Sequence, residues 1–214
     1  ILQPDRDRIA VWAHRHAARI DDVAFLGSVA GHIWHNQGLD DPPGSYNRII
    51  DLNSRALEID PHEADLYGTN AWLLWSKWVS WGQEPARMPD GETKLDEALA
   101  LLARGDKANP GDAEFLLEAG CVLIPVVKSH RRDLAPLLED YLRRAAETAE
   151  DTDLAIRARR TYAGQLFVYG KVDLARQWYR KLLDVDPESE VATRRLRELD
   201  ESKPAPAAEG RPAP

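Results

Sequence analysis

The histidines are the residues with the most chemical potential in this sequence, because imidazole binds metal ions and exchanges protons near neutral pH. The chain has six of them, and His32 and His35 are spaced to share one face of a helix. A metal site there would need a third ligand, for which His14 or His16 is the candidate. The pair lacks the i, i+4 spacing and the intervening glutamate of a helical zinc-protease motif. We therefore expect half-exposed histidines beside Trp34 and no bound metal.

The single cysteine, Cys121, can neither close an intramolecular disulfide nor assemble a thiolate metal site. It lies among apolar residues in the predicted helix "EAGCVLIPVV", so we expect a thiol buried in the core. The sequence also contains no nucleophile elbow, no phosphate-binding loop of the Walker type and no dinucleotide fingerprint after a strand. These features predict a protein that is not an enzyme and that has no cofactor.

Arginines near the end of the chain could bind an anion. The stretch from Asp153 to Leu199 has 10 basic and 7 acidic residues, although the whole chain has a net charge of −8. The net negative charge disfavours nucleic acid and anionic membranes as partners. Arg157 and Arg160 could grip a carboxylate through bidentate hydrogen bonds. The alternative is that these charges only keep a helix surface hydrated.

The elements that must position these residues are predicted to be helices. Apolar residues recur at intervals of three and four from Pro4 to Asn36, and a further helix is predicted from about Tyr46 to Ile59. No segment has a convincing strand pattern, so the predicted class is all-α. A junction recurs along the chain in which a helix ends, an Asp-Pro or Asn-Pro follows, and an acidic residue begins the next helix. The prolines of these junctions are Pro61, Pro110 and Pro187.

The spacing within the last of these segments resembles the tetratricopeptide repeat, a helix-turn-helix unit of about 34 residues. Small and large apolar residues occupy the positions of that repeat, with arginine in place of its leading tryptophan: Arg159, Tyr162, Ala163, Leu166, Ala175, Tyr179 and Pro187. Counting back along the chain predicts four irregular units, which span residues 23–61, 64–110, 113–152 and 156–187. The second unit contains an insertion of 15 residues between its two helices. A capping helix is expected at 188–201, and a disordered Pro/Ala-rich tail at 202–214.

The resemblance implies a right-handed superhelix of helix pairs whose first helices line a concave groove. It also implies a non-catalytic module or scaffold that binds a peptide or a protein surface there. In the repeat register Trp72, Trp75, Arg157 and Arg160 take groove positions. The Asn and Lys residues with which chaperone-binding members clamp a carboxylate are not in their usual register, so a chaperone tail is not the expected ligand.

The tryptophans of the second unit cannot form a single stripe. Trp72, Trp75, Trp78 and Trp81 are spaced by three, and each step of three residues turns an α-helix by about 60°. Trp78 and Trp81 are therefore interpreted as anchors for the insertion that follows them. Trp72 and Trp75 are assigned to the groove, with burial in the core as an equal alternative.

Two questions stay open from the sequence. A structural subunit that self-associates as a homo-oligomer is the first alternative to a binding module, and a metal protein or enzyme built on the histidines is the second. No run reaches the roughly 18 apolar residues that a membrane span needs, so we expect a soluble chain. Because the sequence begins at Ile1 rather than at methionine, the compartment is left open.

Overall fold

The computed structural model describes residues 45–76, 91–129 and 131–201. Within those ranges the chain forms eight α-helices and one 3-10 turn at Arg132–Leu134, and no strand. The helices are α1 (Ser45–Ile59), α2 (Ala64–Ser76), α3 (Gly91–Ala108), α4 (Ala113–Ser129), α5 (Ala135–Thr148), α6 (Thr152–Val168), α7 (Val172–Leu183) and α8 (Glu190–Glu201).

Aspartate side chains cap the beginnings of α4 and α6. Asp112 accepts a hydrogen bond from the Phe115 amide at 2.8 Å, and Asp151 accepts one from the Leu154 amide at 2.9 Å. Each bond satisfies a backbone donor that the first turn of a helix would otherwise leave unpaired. Before α4 the chain reverses through Gly111, whose φ of +79° is a left-handed conformation that favours glycine. At the junction of Pro110 the predicted acidic residue therefore acts as a helix cap, and Asp151 does the same at the beginning of α6.

The helices pack as successive pairs, α2 with α3, α4 with α5 and α6 with α7. The first helices of these pairs also pack against one another, α2 on α4 and α4 on α6. The second helices make most of their contacts with first helices. Because the first helices touch in series, they form one continuous layer, which places their outward residues on a shared surface.

Small residues allow the two helices of a pair to approach closely. Ala71, Gly120 and Ala163 occupy the equivalent small position of α2, α4 and α6, and all three are buried. A Cβ atom at Gly120 would overlap the side chain of Leu142 on α5. The repeat register predicted a small residue at each of these positions, and the packing of the pair requires it.

Ion pairs add to the apolar packing between elements. Arg144 on α5 donates two hydrogen bonds to the carboxylate of Asp106 on α3, at 2.8 Å and 2.7 Å. This fork joins two second helices of neighbouring pairs. At the end of the stack the buried Arg176 of α7 donates to Asp200 at 3.2 Å and to the Leu199 carbonyl at 3.1 Å, which attaches α8.

Several predicted features lie outside the described residues. They are the N-terminal helical segment, the insertion of the second unit with Trp78 and Trp81, the histidine pair His32 and His35, and the tail at 202–214. The division into four units also stays a prediction, because the first helix of the first unit falls in that N-terminal segment. Of the helices from α1 to α8, none combines the length and apolar character needed to cross a membrane.

Candidate functional site

The candidate site is the exposed side of the layer that the first helices form, and we call this surface the inner face. Residues spaced by three or four on α2, α4 and α6 are exposed or half-exposed there, while other residues of each helix pack into the core. The inner face consists of Asp65, Thr69 and Trp72 on α2, of Glu114, Glu118 and Cys121 on α4, and of Arg157, Thr161 and Gly164 on α6.

Glu118 lies at the centre of the inner face, against the backbone of the neighbouring helix. A Cβ atom on Gly68 of α2 would lie 2.6 Å from Oε2 of Glu118 and 3.2 Å from its Cβ, so the glutamate side chain fills the space that the glycine leaves. The Glu118 carboxyl makes no hydrogen bond or ion pair with any described residue. We call this contact the Gly68 notch.

The surroundings of Glu118 disfavour its charged form. Burial, as the largest cause, and the negative charges of Asp65 and Glu114 together raise the pKa of this carboxyl to about 7. Arg157 on α6 opposes the shift, because a nearby positive charge stabilises the carboxylate. Glu118 is therefore a carboxyl that titrates within the physiological range on an accessible surface.

The prediction that Cys121 is a core thiol is wrong, because Cys121 is exposed. Residue 121 lies three positions after Glu118 and shares its face, whereas Val122 and Leu123 take the core positions. The residue has exposed surface, but the protein atoms around its sulfur remove part of the hydration of the thiolate, and this desolvation and the charge of Glu118 both raise the pKa of the Cys121 thiol. The thiol is thus held in its weakly nucleophilic protonated form.

Arg157 and Arg160 are both exposed on α6. Among the described residues, neither guanidinium has an ion-pair partner, although Arg143, Arg144 and Arg176 are each paired. The charge of Arg157 acts on both Glu118 and Cys121, so Arg157 faces α4 across the inner face. Arg160 borders the inner face and acts on neither of those groups.

The two predicted groove tryptophans occupy different environments. Trp75 is 4% exposed and belongs to the core, whereas Trp72 is half-buried at the edge of the core and lies on the inner face. Their rings meet edge to face, with centroids 5.3 Å apart. Trp75 thus supports Trp72 from beneath, as the core alternative expects, and contact of either ring with a partner stays a prediction.

Glu118 and Gly68 are the members of the site that the sequence interpretation missed. They are separated by 50 positions along the chain and belong to different helices, so neither periodicity nor spacing links them. The available signal was the glycine itself, since a glycine inside a helix costs about 1 kcal/mol relative to alanine and often marks a close approach.

The other parts of the described chain are weaker candidates for a functional site. No group of three or more histidine, cysteine or acidic side chains is arranged there to hold a metal ion. A shallow cleft of about 240 Å³ lies between α5, α6 and α7, lined by Ala146, Glu147, Arg159, Trp178, Lys181 and Asp184. Its charges already engage neighbours, because Arg159 donates to the Lys181 carbonyl at 3.0 Å and the Lys181 ammonium lies over the Trp178 ring.

Comparison with known proteins bears on the fold. No family model matches the sequence. A search of curated proteins found no match. Among solved structures, a thermophilic TPR protein of Thermus thermophilus is similar with a TM-score of 0.53 at 17% sequence identity, over 94% of this chain and 100% of that chain. With its helices stacked in successive pairs and its first helices in contact, the chain therefore has the all-α, tetratricopeptide-like superhelical fold that the repeat pattern predicts.

Proposed function

We propose that this protein is an interaction module that binds a peptide or a protein surface on the inner face. The observation that supports this most directly is the state of Arg157, which is exposed, has no ion-pair partner among the described residues, and faces Glu118 across the inner face. An unpaired guanidinium on a layer of packed helices is suited to a carboxylate of a partner, which it can grip with two hydrogen bonds.

The neighbouring groups supply the other parts of a binding surface. Trp72 contributes half-buried aromatic area that is already supported by Trp75, so little side-chain freedom is lost when a ligand covers it. Arg160 extends the positive charge beside Arg157, whereas Asp65 and Glu114 make the other end of the inner face negative. This polarity runs from α2 and α4 to α6, so it would orient an extended segment across the helices.

Binding is a better fit to these residues than catalysis. The inner face is an open surface, where water would weaken the electrostatic effects that an enclosed site uses to stabilise a transition state. Its thiol is held protonated, because the pKa of Cys121 is raised, and Glu118 has no nucleophile poised by hydrogen bonding beside it in the described structure. We therefore propose no reaction for this surface.

A comparison of affinity captures from a lysate of the source cell tests the proposal. The variant reverses both charges, Arg157→Glu with Arg160→Glu, and the matched control is Arg180→Glu with Arg197→Glu. The control arginines are also exposed and without an ion-pair partner in the described structure, but they lie on α7 and α8, away from the inner face. We expect proteins captured by the wild type and by the control to be lost from the first variant.

A Trp72→Ala variant asks the same question of the aromatic part of the inner face. Trp75 is a poor target, because removing a core indole would leave a cavity and destabilise the stack. Equal recovery of the same proteins by the wild type, the double charge reversal and Trp72→Ala would reject the inner face as the binding surface.

A further inference from the structure

We propose that Glu118 is a proton-operated switch on the inner face, which occupies the Gly68 notch of α2 when it is protonated and pairs with Arg157 of α6 when it is ionised. Protonation would thereby leave Arg157 available to an anionic group of a partner. The switch itself needs no ligand, and only its effect on binding rests on the function proposed above.

The notch is suited to a neutral carboxyl group. Gly68 is buried. Oε2 of Glu118 occupies the space that a side chain would fill if position 68 were any residue other than glycine. One side of the carboxyl therefore faces helix backbone rather than water. A carboxylate in that position would lose hydration without gaining a hydrogen bond, since no described residue donates one to it.

The charges around Glu118 favour the notch for its neutral form and the neighbourhood of Arg157 for its ionised form. Those that act on it are Asp65 of α2, Asp112 and Glu114 at the beginning of α4, and Arg157 of α6. The three carboxylates lie on the notch side and the adjoining start of α4, so they repel an ionised Glu118, whereas Arg157 on the opposite helix attracts it. Burial and this repulsion together raise its pKa to about 7, which places the transition near neutral pH.

The movement that the switch requires is small. Glu118 and Arg157 belong to helices in direct contact, and their charges already interact while the carboxyl lies in the notch. A glutamate reaches from one helix to the next by rotating its side chain, with no change in the backbone. The switch thus uses only rotamers of Glu118 and Arg157, and leaves the packing of α2 on α4 in place.

Nuclear magnetic resonance of the unliganded protein tests the switch directly. The carboxyl carbon of Glu118, assigned by its absence in Glu118→Gln, should titrate near neutral pH rather than in the usual range of a glutamate. Arg157→Gln should move the midpoint up, because it removes the attracting charge. Gly68→Ala should move it down, because the added methyl group fills the notch and displaces the carboxyl toward water.

Asp65→Asn provides a second route to the same test, because Asp65 is exposed and its loss should not disturb folding. It should lower the midpoint by removing a repelling charge. The side-chain Nε–H signal of Arg157 should shift over the same pH range in the wild type and be constant in Glu118→Gln. An ordinary glutamate midpoint in the wild type, or an Arg157 signal that ignores Glu118, would overturn the proposal.

The consequence for binding is measured by repeating the affinity capture at about pH 6 and about pH 8. The affinity for proteins whose binding requires Arg157 should fall about two- to fivefold at the higher pH, the factor that corresponds to engaging Arg157 in one exposed ion pair of about 0.5–1 kcal/mol. Glu118→Gln should abolish that difference. Binding that needs Arg157 but has the same strength at both pH values contradicts the switch and leaves the proposed function intact. If the titration of Glu118 is confirmed but no captured protein depends on Arg157, the switch stands and the proposed function is contradicted.

Discussion

At the scale of single residues, Glu118 gives the most informative measurement, because its titration links the inner face to the stability of the fold. Its pKa is raised from 4.5 to about 7 in the folded protein. Between those values the folded state binds a proton that the unfolded state has released, so the contribution of Glu118 to stability falls as the pH rises toward 7 and is constant above it.

We therefore expect Glu118→Gln to change stability in a pH-dependent way. Near pH 4 or below the variant and the wild type should have nearly the same free energy of unfolding, since Glu118 is then neutral in both the folded and the unfolded state. Near pH 8 the variant should be more stable by about 1–2 kcal/mol, a figure reduced from the full shift because the carboxyl is partly in water. Urea unfolding at the two pH values measures this, and an equal difference at both would contradict it.

The tryptophans illustrate at the same scale what a sequence can and cannot place. Their spacing was sufficient to separate four indoles into different directions around a helix. It could not decide between groove and core for Trp72 and Trp75, because both lie within the angular range where one face gives way to the other. The structure places Trp75 in the core and leaves Trp72 half-exposed, a difference set by which neighbouring helices cover each ring.

At the scale of helices, the glycines on the first helices give a matched pair of predictions. Gly120 of α4 faces Leu142 of α5, and an added Cβ would overlap that side chain. A Cβ atom added to Gly164 of α6 would have no other described side chain or neighbouring helix within 4 Å. Both are interior helix positions, so the intrinsic helical preference for alanine applies equally to each.

Gly164→Ala should accordingly raise the free energy of unfolding by about 0.5–1 kcal/mol, since alanine restricts the unfolded chain and favours the helix. Gly120→Ala should lower it by about 1–3 kcal/mol, because the pair α4 and α5 must separate to relieve the overlap. Thermal or denaturant unfolding of the two variants checks both signs. A Gly120→Ala variant that is as stable as Gly164→Ala would show that the close approach of the pair is not required.

The helices themselves were largely predictable because the signals that begin and end them are local. Pro61 and Pro110 are each followed within three residues by an acidic residue that lies at the start of a helix, and the starts of α2 and α4 follow as expected. Local signals say nothing about which helices touch. The Gly68 notch depends on α2 and α4 lying side by side, and the exposure of Cys121 depends on which side of α4 is left uncovered, so both required the assembled stack.

At the scale of the whole molecule, stability should be distributed from neighbour to neighbour along the stack. The last described helix, α8, packs mainly against α7, and its polar attachments include Arg176 of α7 and its own Arg195, whose guanidinium lies over the Phe167 ring of α6. The guanidinium of Arg176 is buried and also pairs with Asp173 at 2.9 Å. Arg176 therefore makes two of the hydrogen bonds that hold α8 against α7.

Arg176→Ala should release α8 while the rest of the stack remains folded. We expect amide hydrogens of 190–201 to exchange much faster, consistent with the loss of about 2 kcal/mol from charge-assisted hydrogen bonds, and those of α4 and α5 to be unaffected. Hydrogen exchange followed by mass spectrometry resolves the two regions. Uniform acceleration in all helices would indicate that the fold unfolds as one cooperative unit.

The fork between Arg144 and Asp106 has a mechanical consequence. On the inner side, first helices are joined by apolar packing, which salt hardly weakens, whereas this link between second helices is ionic and only partly buried. Bending that spreads the second helices must stretch the ion pair. Added salt should therefore weaken the link between the second helices while the packing between the first helices keeps its strength. The curvature of the stack should accordingly become more variable as salt is added.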